Sequence, residues 1–571
     1  MQEKIKEVIN GIITGSGLPS VDFIVEHPVD LANGDYSSNV AMVLGKKLAR
    51  NPVEIANEMV NGLNESFEFE VGKVEVAGPG FINFHLSNKF FEETVHDVIN
   101  QGKNYGRNNR LNSQKTIIEF TDPNPFKVLH IGHMMSNFIG EALCKISEWN
   151  GAEVKRAIYQ GDIGLHVAKA VWGMIQNRAG FPHDEDSLEI KIRFLSNAYS
   201  FGSHEYESDN QAKKEIDVTN KMLFDRSNHE LNIYYEKGRK WSMEAFEIIY
   251  KRLGTKFDFY FLESDTGVFG KEVVEKNIST GIFEVSEGAV VYKAEKHGLH
   301  TRVFINSQGL PTYEAKELGL AKTKAEKYGY DRSIVITANE QDHYFKVILK
   351  ALEEVFPDLA AKTTHMSHGM LRLPTGKMSS RTGDVISAES LIDDTRGKVL
   401  EKIEGREYEE GVKEQVLERV ALASIKYSIL KQAIGKDIIF DFDKSLSFEG
   451  DSGPYLQYTT VRASSLLKKA ETEGLGLVGG VQPENWEIKN VEKILNRFPE
   501  VVAEAYDELA PQKLVTYLTE LASEFNTFYN SEQIIEKENI GTSYKVGITQ
   551  AVFNILENGL GILGIELPER M

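Results

Sequence analysis

The apolar positions follow three different rhythms along the chain. Ile5, Val8, Ile9, Ile12 and Ile13 fall on one helical face. After the polar loop Asn33-Gly34-Asp35-Tyr36, the run Val40-Ala41-Met42-Val43-Leu44 predicts a second helix. Val74 to Leu86 divides into two strand-like halves about Gly78-Pro79-Gly80, a turn signal. Residues 1–110 are therefore expected to form a small N-terminal α+β domain, closed by an Asn/Gly/Arg-rich linker at 102–112.

From Thr116 the pattern changes. Thr116-Ile117-Ile118-Glu119-Phe120 is strand-like, a proline-rich loop follows, a helical pattern runs from His133 to Trp149, and Val154 begins another strand. Alternation of strand, loop and helix predicts a parallel α/β sheet over 111–400. Residues 195–300 are more polar and mixed and are expected as an insertion, after which the α/β pattern resumes at Ser333-Ile334-Val335-Ile336. Past residue 400 the spacing is helical: Val491, Ile494, Leu495, Phe498, Val501, Val502, Ala505 and Leu509, then Leu514, Tyr517, Leu518, Leu521 and Phe525. Residues 401–571 are expected as an α-helical bundle, with a glycine-bearing loop at 471–483. On this spacing Phe525, Phe528 and Tyr529 read mostly as core.

Composition narrows the class. The 571 residues are 41% hydrophobic and 26% charged, ordinary globular values that exclude a mainly disordered chain. A single cysteine, Cys144, excludes an internal disulfide framework and any Cys-rich zinc or iron–sulfur site, and fits a reducing, cytoplasmic location. Met1 to Lys6 reads as the start of a charged amphipathic helix rather than a signal peptide, and no apolar run is long enough for a membrane span. The charge of 65 − 85 = −20 argues against indiscriminate binding of polyanions, but local basic patches can still hold a nucleic acid.

Two motifs carry chemistry. His130-Ile131-Gly132-His133 stands where a strand-loop passes into a helix. The helix N-terminus offers free N–H groups, Gly132 allows a flat ring to approach the backbone, and two imidazoles can bind phosphate oxygens. Two surface histidines in an ordinary helix cap, or a metal pair, would give the same tetrad; no third metal ligand is evident nearby. Lys377-Met378-Ser379-Ser380-Arg381 lies in a loop, where a lysine can stabilise a leaving pyrophosphate; a solvated basic turn is the plain alternative.

Together, in that order, these motifs resemble a class I aminoacyl-tRNA synthetase with a Rossmann-type catalytic domain. Within that class the chain resembles the arginyl-tRNA synthetases. The resemblance rests on Glu119-Phe120-Thr121-Asp122-Pro123-Asn124, Gly161-Asp162-Ile163-Gly164, Pro311-Thr312-Tyr313-Glu314-Ala315-Lys316-Glu317 and Gly453-Pro454-Tyr455-Leu456-Gln457-Tyr458. Gly78 to Phe84 resembles that family's additional N-terminal tRNA-binding domain, and Gly559 to Gly564 its ending.

The resemblance implies ATP-dependent ligation of L-arginine to tRNA(Arg) through an arginyl-adenylate, at the 2′-hydroxyl of the terminal adenosine and with tRNA needed even for activation. ATP with Mg²⁺ would be bound by His130, Gly132, His133, Lys377, Met378, Ser379 and Ser380. Glu119, Asn124, Tyr313, Glu317 and Gln341 would hold arginine. Phe81 and Asn83 would touch the tRNA elbow, and Tyr455 and Tyr458 the anticodon. No protein-held metal is implied, and the family is mostly monomeric. Two carboxylates independently suit a planar five-donor guanidinium, and would reject lysine by leaving buried acceptors unpaired, so no editing domain is needed. Three positions depart from the family pattern. Glu317 stands where Asp is commoner, Ile163 replaces a tryptophan, and Ser380 replaces the second lysine of the loop. Lys127, three residues before His130, matches a lysine that supplies the missing charge in some members, and is expected to be catalytic with His130, His133 and Lys377. Synthetases for glutamine, glutamate or cysteine fit less well, and a catalytically silent RNA-binding relative is the non-enzymatic alternative.

Overall fold

The structure, a computed structural model, describes residues 1–372, 386–405, 408–475, 480–536 and 539–571. In the N-terminal body, helices α1 (Gln2–Gly15), α2 (Val40–Leu48) and α3 (Pro52–Glu65) cover a four-stranded antiparallel sheet. Its strands are β1 (Val25–Glu26), β2 (Tyr36–Ser38), β3 (Val71–Ala77) and β4 (Phe81–Leu86), in the order β1-β2-β4-β3. Ile5, Ile9, Leu44, Ile55, Val74, Ile82 and Phe84 form its core. The expected turn joins β3 to β4; Gly80 holds φ +117°, and a side chain there would meet Pro52 at 2.8 Å.

The body expected to reach residue 110 ends sooner. The following helix α4 (Asn88–Gln101) gives Phe91 to the N-terminal core, but Val95 and Val98 to the core shared with the C-terminal helices. Asn554 Nδ2 donates to the Val98 carbonyl at 3.2 Å.

The parallel sheet forms as expected. Its strands are β5 (Lys115–Glu119), β6 (Glu153–Gln160), β7 (Phe259–Leu262), β11 (Arg332–Ala338) and β12 (Thr363–His368), in the order β12-β11-β5-β6-β7 and all parallel. Chain order reverses between β5 and β11, so a crevice opens at the carboxyl ends of these two strands. Helix α5 (Ile131–Trp149) follows β5 and lies against it so closely that a side chain at Gly140 would stand 2.2 Å from Phe120.

The expected insertion at 195–300 is not one body. Helices α6 (Leu165–Gln176), α7 (Leu188–Ser208), α8 (Asn210–Phe224) and α9 (His229–Leu253) form a helical layer with its own core. The chain then returns to the parallel sheet as β7, because Phe261 packs with Ile117, Ala157 and Tyr159. Helix α10 (Glu263–Lys276) and a small antiparallel sheet of β8 (Glu284–Ser286), β9 (Ala289–Tyr292) and β10 (Arg302–Ile305) lead to α11 (Tyr313–Lys327). α10 and α11 touch backbone to backbone, since side chains at Gly270 and Gly319 would lie 1.9 and 2.1 Å from the carbonyls of Ala315 and Thr266. Helices α12 (Asp342–Val355) and α13 (Pro357–Lys362) complete the layer beside β12.

The C-terminal part is helical: α14 (Ala388–Lys402), α15 (Glu410–Leu430), α16 (Phe442–Ser445), α17 (Gly453–Thr472), α18 (Asn490–Leu495), α19 (Phe498–Asp507), α20 (Pro511–Ser531) and α21 (Thr542–Ile562). One short parallel pair interrupts it, β13 (Leu371–Arg372) with β14 (Ile438–Ile439). The continuous periodicity over 491–509 is broken at Asn496-Arg497, where Pro499 enters the first turn of α19. α5 is buried against both the sheet and this bundle, so one apolar core runs through both regions.

Candidate functional site

A cavity of about 810 Å³ occupies the crevice. Glu119, Thr121 and Asp122 line it from the end of β5, Tyr159 and Gly161 from β6, Ile336 to Ala338 from β11 and His368 from β12. Of the residues singled out in the sequence, Glu119, Asn124, His130, Gly132, His133, Tyr313, Glu317 and Gln341 all face this one space.

The loop after β5 aims them. Thr121, Asp122 and Phe126 hold positive φ of 82°, 43° and 69°, which costs a non-glycine residue roughly 1–3 kcal/mol. Packed partners hold the loop in place. Thr121 N–H donates to Ser136 Oγ at 3.1 Å, Asp122 Oδ1 accepts Tyr159 N–H at 2.7 Å, and Phe126 N–H donates to Ser242 Oγ at 2.9 Å. Asn124 approaches the end of β6 only because residue 161 is glycine; a Cβ there would lie 2.3 Å from Asn124 Oδ1.

His130 caps α5. Its Nδ1 accepts Gly132 N–H at 3.1 Å, while His133 Nδ1 accepts His130 N–H at 3.2 Å, and the rings stack with centroids 3.6 Å apart. With each Nδ1 accepting, each neutral imidazole carries its proton on Nε2, a donor free for an anion. Burial lowers the pKa of His130, helped by the charge of Lys127; His133 is pushed well below the ordinary value by burial, then by His130, Lys127 and His368. Both rings are therefore neutral donors at pH 7. Lys127 Nζ stands 5.1 Å from the Tyr199 ring centroid and has no ion-pair partner among the described residues. Lys377, Met378, Ser379 and Ser380 lie outside the described residues. The chain on either side of them reaches the site: Met370 and Leu371 line the cavity, and Ile131 N–H donates to the Ile386 carbonyl at 3.2 Å.

The acidic end of the cavity is more elaborate than two carboxylates. Glu119 is buried and its Oε2 accepts from the buried Lys324 Nζ at 2.8 Å. Glu263, the first residue of α10, pairs with buried Lys316 at 2.5 Å. Glu317 makes no hydrogen bond or ion pair with any described residue. Burial drives its carboxyl well above the usual range, reinforced by Glu119, Asp122 and Glu263 and opposed by Lys324. A half-buried carboxyl on the cavity wall with no partner among the described residues leaves its acceptors open to an incoming cation. Lys316, Lys324, Glu263 and Tyr344 were not singled out from the sequence; a lysine on a polar-looking helix gives no sign that it faces inward. Asp162 is fully buried, accepting from Tyr235 Oη, Arg239 Nη1 and both Ser264 Oγ and Ser264 N–H, so it ties β6 to α9 and α10.

Outside the cavity, the helical part carries a basic and aromatic cluster. Arg462 lies over the rings of Tyr458 and Tyr529, at 4.7 and 5.0 Å, and donates to Asn526 Oδ1 at 2.6 Å. Asn526 in turn donates to Tyr455 Oη at 3.0 Å. Phe525 and Phe528 are core as expected, but Tyr529 is 36% exposed on this cluster. In the N-terminal body Phe81 is half-buried. Asn83 is a correction: it is buried in the sheet, its Oδ1 accepting from Ser37 Oγ at 2.8 Å, so the fold does not present its side chain to an RNA.

Comparison with known proteins places the chain in a family. Residues 94–442 match the family described as tRNA synthetases class I (R), catalytic domain. Residues 1–86 match the arginyl tRNA synthetase N terminal domain, and 456–571 the DALR anticodon binding domain. The arginine–tRNA ligase of Treponema denticola is 31% identical over 100% of this chain and 99% of its own. Arginyl-tRNA synthetase structures from Plasmodium falciparum and Thermus thermophilus share the fold, with TM-scores of 0.81 and 0.78 at 20% and 23% identity. The first covers 100% of this chain and 99% of that one, the second 100% of each.

Proposed function

The chain belongs to the class I arginyl-tRNA synthetases, and from that premise we propose how its residues charge tRNA(Arg) with L-arginine in protein synthesis. The observation that carries the reading is the half-buried Glu317, which has no hydrogen-bond or ion-pair partner among the described residues, beside Glu119 in a cavity whose other end holds two neutral histidine donors. A guanidinium is a planar fork of N–H donors that satisfies both carboxylates at once. Asn124 and Gln341 receive the α-amino end, and Tyr313 closes over the side chain.

The substrate carboxylate is already ionised at neutral pH and needs no general base. It attacks the α-phosphorus of ATP, a P–O bond forms, and the bond to the β-phosphate breaks to release pyrophosphate. The Nε2–H groups of His130 and His133, the positive end of α5, and the ammonium groups of Lys127 and Lys377 stabilise charge that builds on the phosphates. Lys127 takes the part that Ser380 cannot. A 2′-hydroxyl of the tRNA then attacks the adenylate carbonyl and AMP leaves. Among the described residues no cluster of three His, Cys, Asp or Glu side chains is placed for a metal. Mg²⁺ would arrive on the triphosphate and offset its negative charge.

On the helical part, the Arg462–Tyr458–Tyr529 cluster offers flat faces for unstacked anticodon bases. The whole is read as a cytoplasmic monomer; sedimentation should return a mass near 64.2 kDa. The deciding measurement is ATP–pyrophosphate exchange with arginine, lysine or glutamine, each with and without tRNA(Arg). Exchange with arginine only in the presence of tRNA supports both substrate and tRNA-dependent activation. Exchange without tRNA removes the dependence, and no exchange with arginine removes the reading.

A further inference from the structure

Helix α11 places three charged side chains at the acidic end of the cavity. Lys316 and Glu317 are adjacent, and Lys324 follows two turns later. Seven residues turn a helix through almost two full revolutions, so Glu317 and Lys324 share one face about 10 Å apart along the axis. Lys316 is committed to Glu263. Lys324 is 3% exposed, and its ammonium donates to Glu119 Oε2 at 2.8 Å and to Ser333 Oγ at 3.4 Å. It reaches from α11 to β5 behind the carboxylate that faces the cavity.

We infer that Lys324 is a positioning residue of the arginine site, holding one oxygen of Glu119 so that the other, together with Glu317, meets the substrate guanidinium. The inference rests on the arginine reading above. The charge balance explains the need for it. Glu119, Asp122, Glu263 and Glu317 converge on one buried space, and Lys316 answers only Glu263. Without a second buried cation, Glu119 and Glu317 would face each other with nothing to offset their repulsion. One of them would then keep a proton, and a protonated carboxyl is a poor acceptor for a guanidinium. Lys324 also fixes geometry: with Oε2 occupied, Glu119 offers a single oxygen, and the fork must turn its other edge to Glu317. An ammonium on a lysine substrate could reach one of these oxygens but not both edges, so Lys324 sharpens the choice of arginine as well as its affinity.

Glu317 is the group whose protonation the lysine governs. Glu119 and Asp122 reach it from β5 and its following loop, Glu263 from α10, Tyr159 from β6, Tyr344 from α12 and Lys324 from its own helix. Burial and the three carboxylates push its pKa up; Lys324 pulls it down. Removing Lys324 moves it further up, so arginine binding should weaken at neutral pH and recover as pH rises.

The test is equilibrium dialysis of labelled L-arginine against the full chain with tRNA(Arg) present, from pH 6 to 8.5. Wild type, Lys324→Met, Lys324→Gln and Lys324→Arg are compared, with melting temperatures measured in parallel. Lys324→Met should bind roughly tenfold or more weakly at pH 7, the equivalent of one pKa unit, with the deficit shrinking toward pH 8.5. Lys324→Gln, which keeps a donor without the charge, should behave like the methionine variant and carries the comparison if that variant does not fold. Lys324→Arg should stay within about threefold of wild type, one pKa unit being tenfold. Wild-type affinity in both uncharged variants overturns the inference, and so does a pH-independent loss that tracks a lowered melting temperature. Absence of arginine binding by wild type overturns the functional reading itself, and this inference with it.

Discussion

Lys127 and Glu317 are single side chains without ion-pair partners among the described residues, and each is set beside groups of a definite charge. Lys127 projects its charge onto His130 and His133. Lys127→Ala should slow arginine-dependent pyrophosphate exchange by about 100-fold or more, since one preorganised charge donor supplies about 3 kcal/mol. It should leave the arginine Kd within a factor of about two, because the lysine stands by the phosphate end. Unchanged exchange would remove its compensating role. Glu317→Gln should weaken arginine binding by about 100-fold, the worth of a charge-assisted contact in a secluded site, while raising the melting temperature, since it removes a carboxyl crowded by Glu119, Asp122 and Glu263. Affinity measurements and thermal melts on the same preparations check both halves. At this scale the sequence showed which residue kinds were present and in what order. It did not show that Glu119 is already engaged by a lysine 205 positions away while Glu317 is not. Such pairing depends on where a strand and a helix meet, and no local pattern encodes it.

Elements position these side chains through close approaches that glycine permits. A Cβ at Gly161 would strike the flexible end of Asn124, so Gly161→Ala should move that amide, raise the arginine KM several-fold and leave the melting temperature nearly unchanged. A Cβ at Gly140 would instead strike the buried ring of Phe120, which cannot swing away. Gly140→Ala should therefore destabilise the fold by roughly 1–3 kcal/mol, as overpacking does, and lower both activity and the melting temperature. The two variants distinguish a steric effect on substrate from one on packing. Strands β5, β6 and β11 were legible as short apolar runs beside loop signals, the pattern of strands buried on both faces, and helix α5 as a long helical pattern. The end of the N-terminal body and the return of β7 to the sheet were not. α4 divides its apolar face between two cores, and a four-residue strand inside a polar stretch has too few positions to show a period.

In the whole molecule, a half-buried carboxylate joins the first body to the last. Glu500 on α19 accepts from Gln2 N–H at 2.9 Å and Tyr36 Oη at 2.9 Å, and pairs with His27 and the Met1 ammonium. Burial alone would push its pKa up, but His27, the Met1 ammonium and Gln2 N–H outweigh that and hold it at about 2. A depressed folded-state value contributes stability above the unfolded value of 4.5 and loses it as pH falls from there toward 2. Glu500→Gln should therefore cost about 3 kcal/mol at pH 7, with the gap to wild type narrowing below about pH 4.5. Denaturant unfolding at pH 7, 5 and 4 measures it, and a constant gap would locate the loss in packing. The shared core also implies that residues 401–571, cut from the rest, expose the apolar face they present to α4 and α5.

From the order of its residues alone, the chain determined its longer secondary elements, its parallel-sheet centre and the chemical kinds at its site, because turns, periodicity and short motifs act between near neighbours. Tertiary structure alone decided that Glu317 has no ion-pair partner among the described residues, that Lys324 backs Glu119, that Tyr529 faces outward and that Asn83 faces in. Each depends on contacts between segments far apart in the chain, where sheet register and helix docking set which side chains meet.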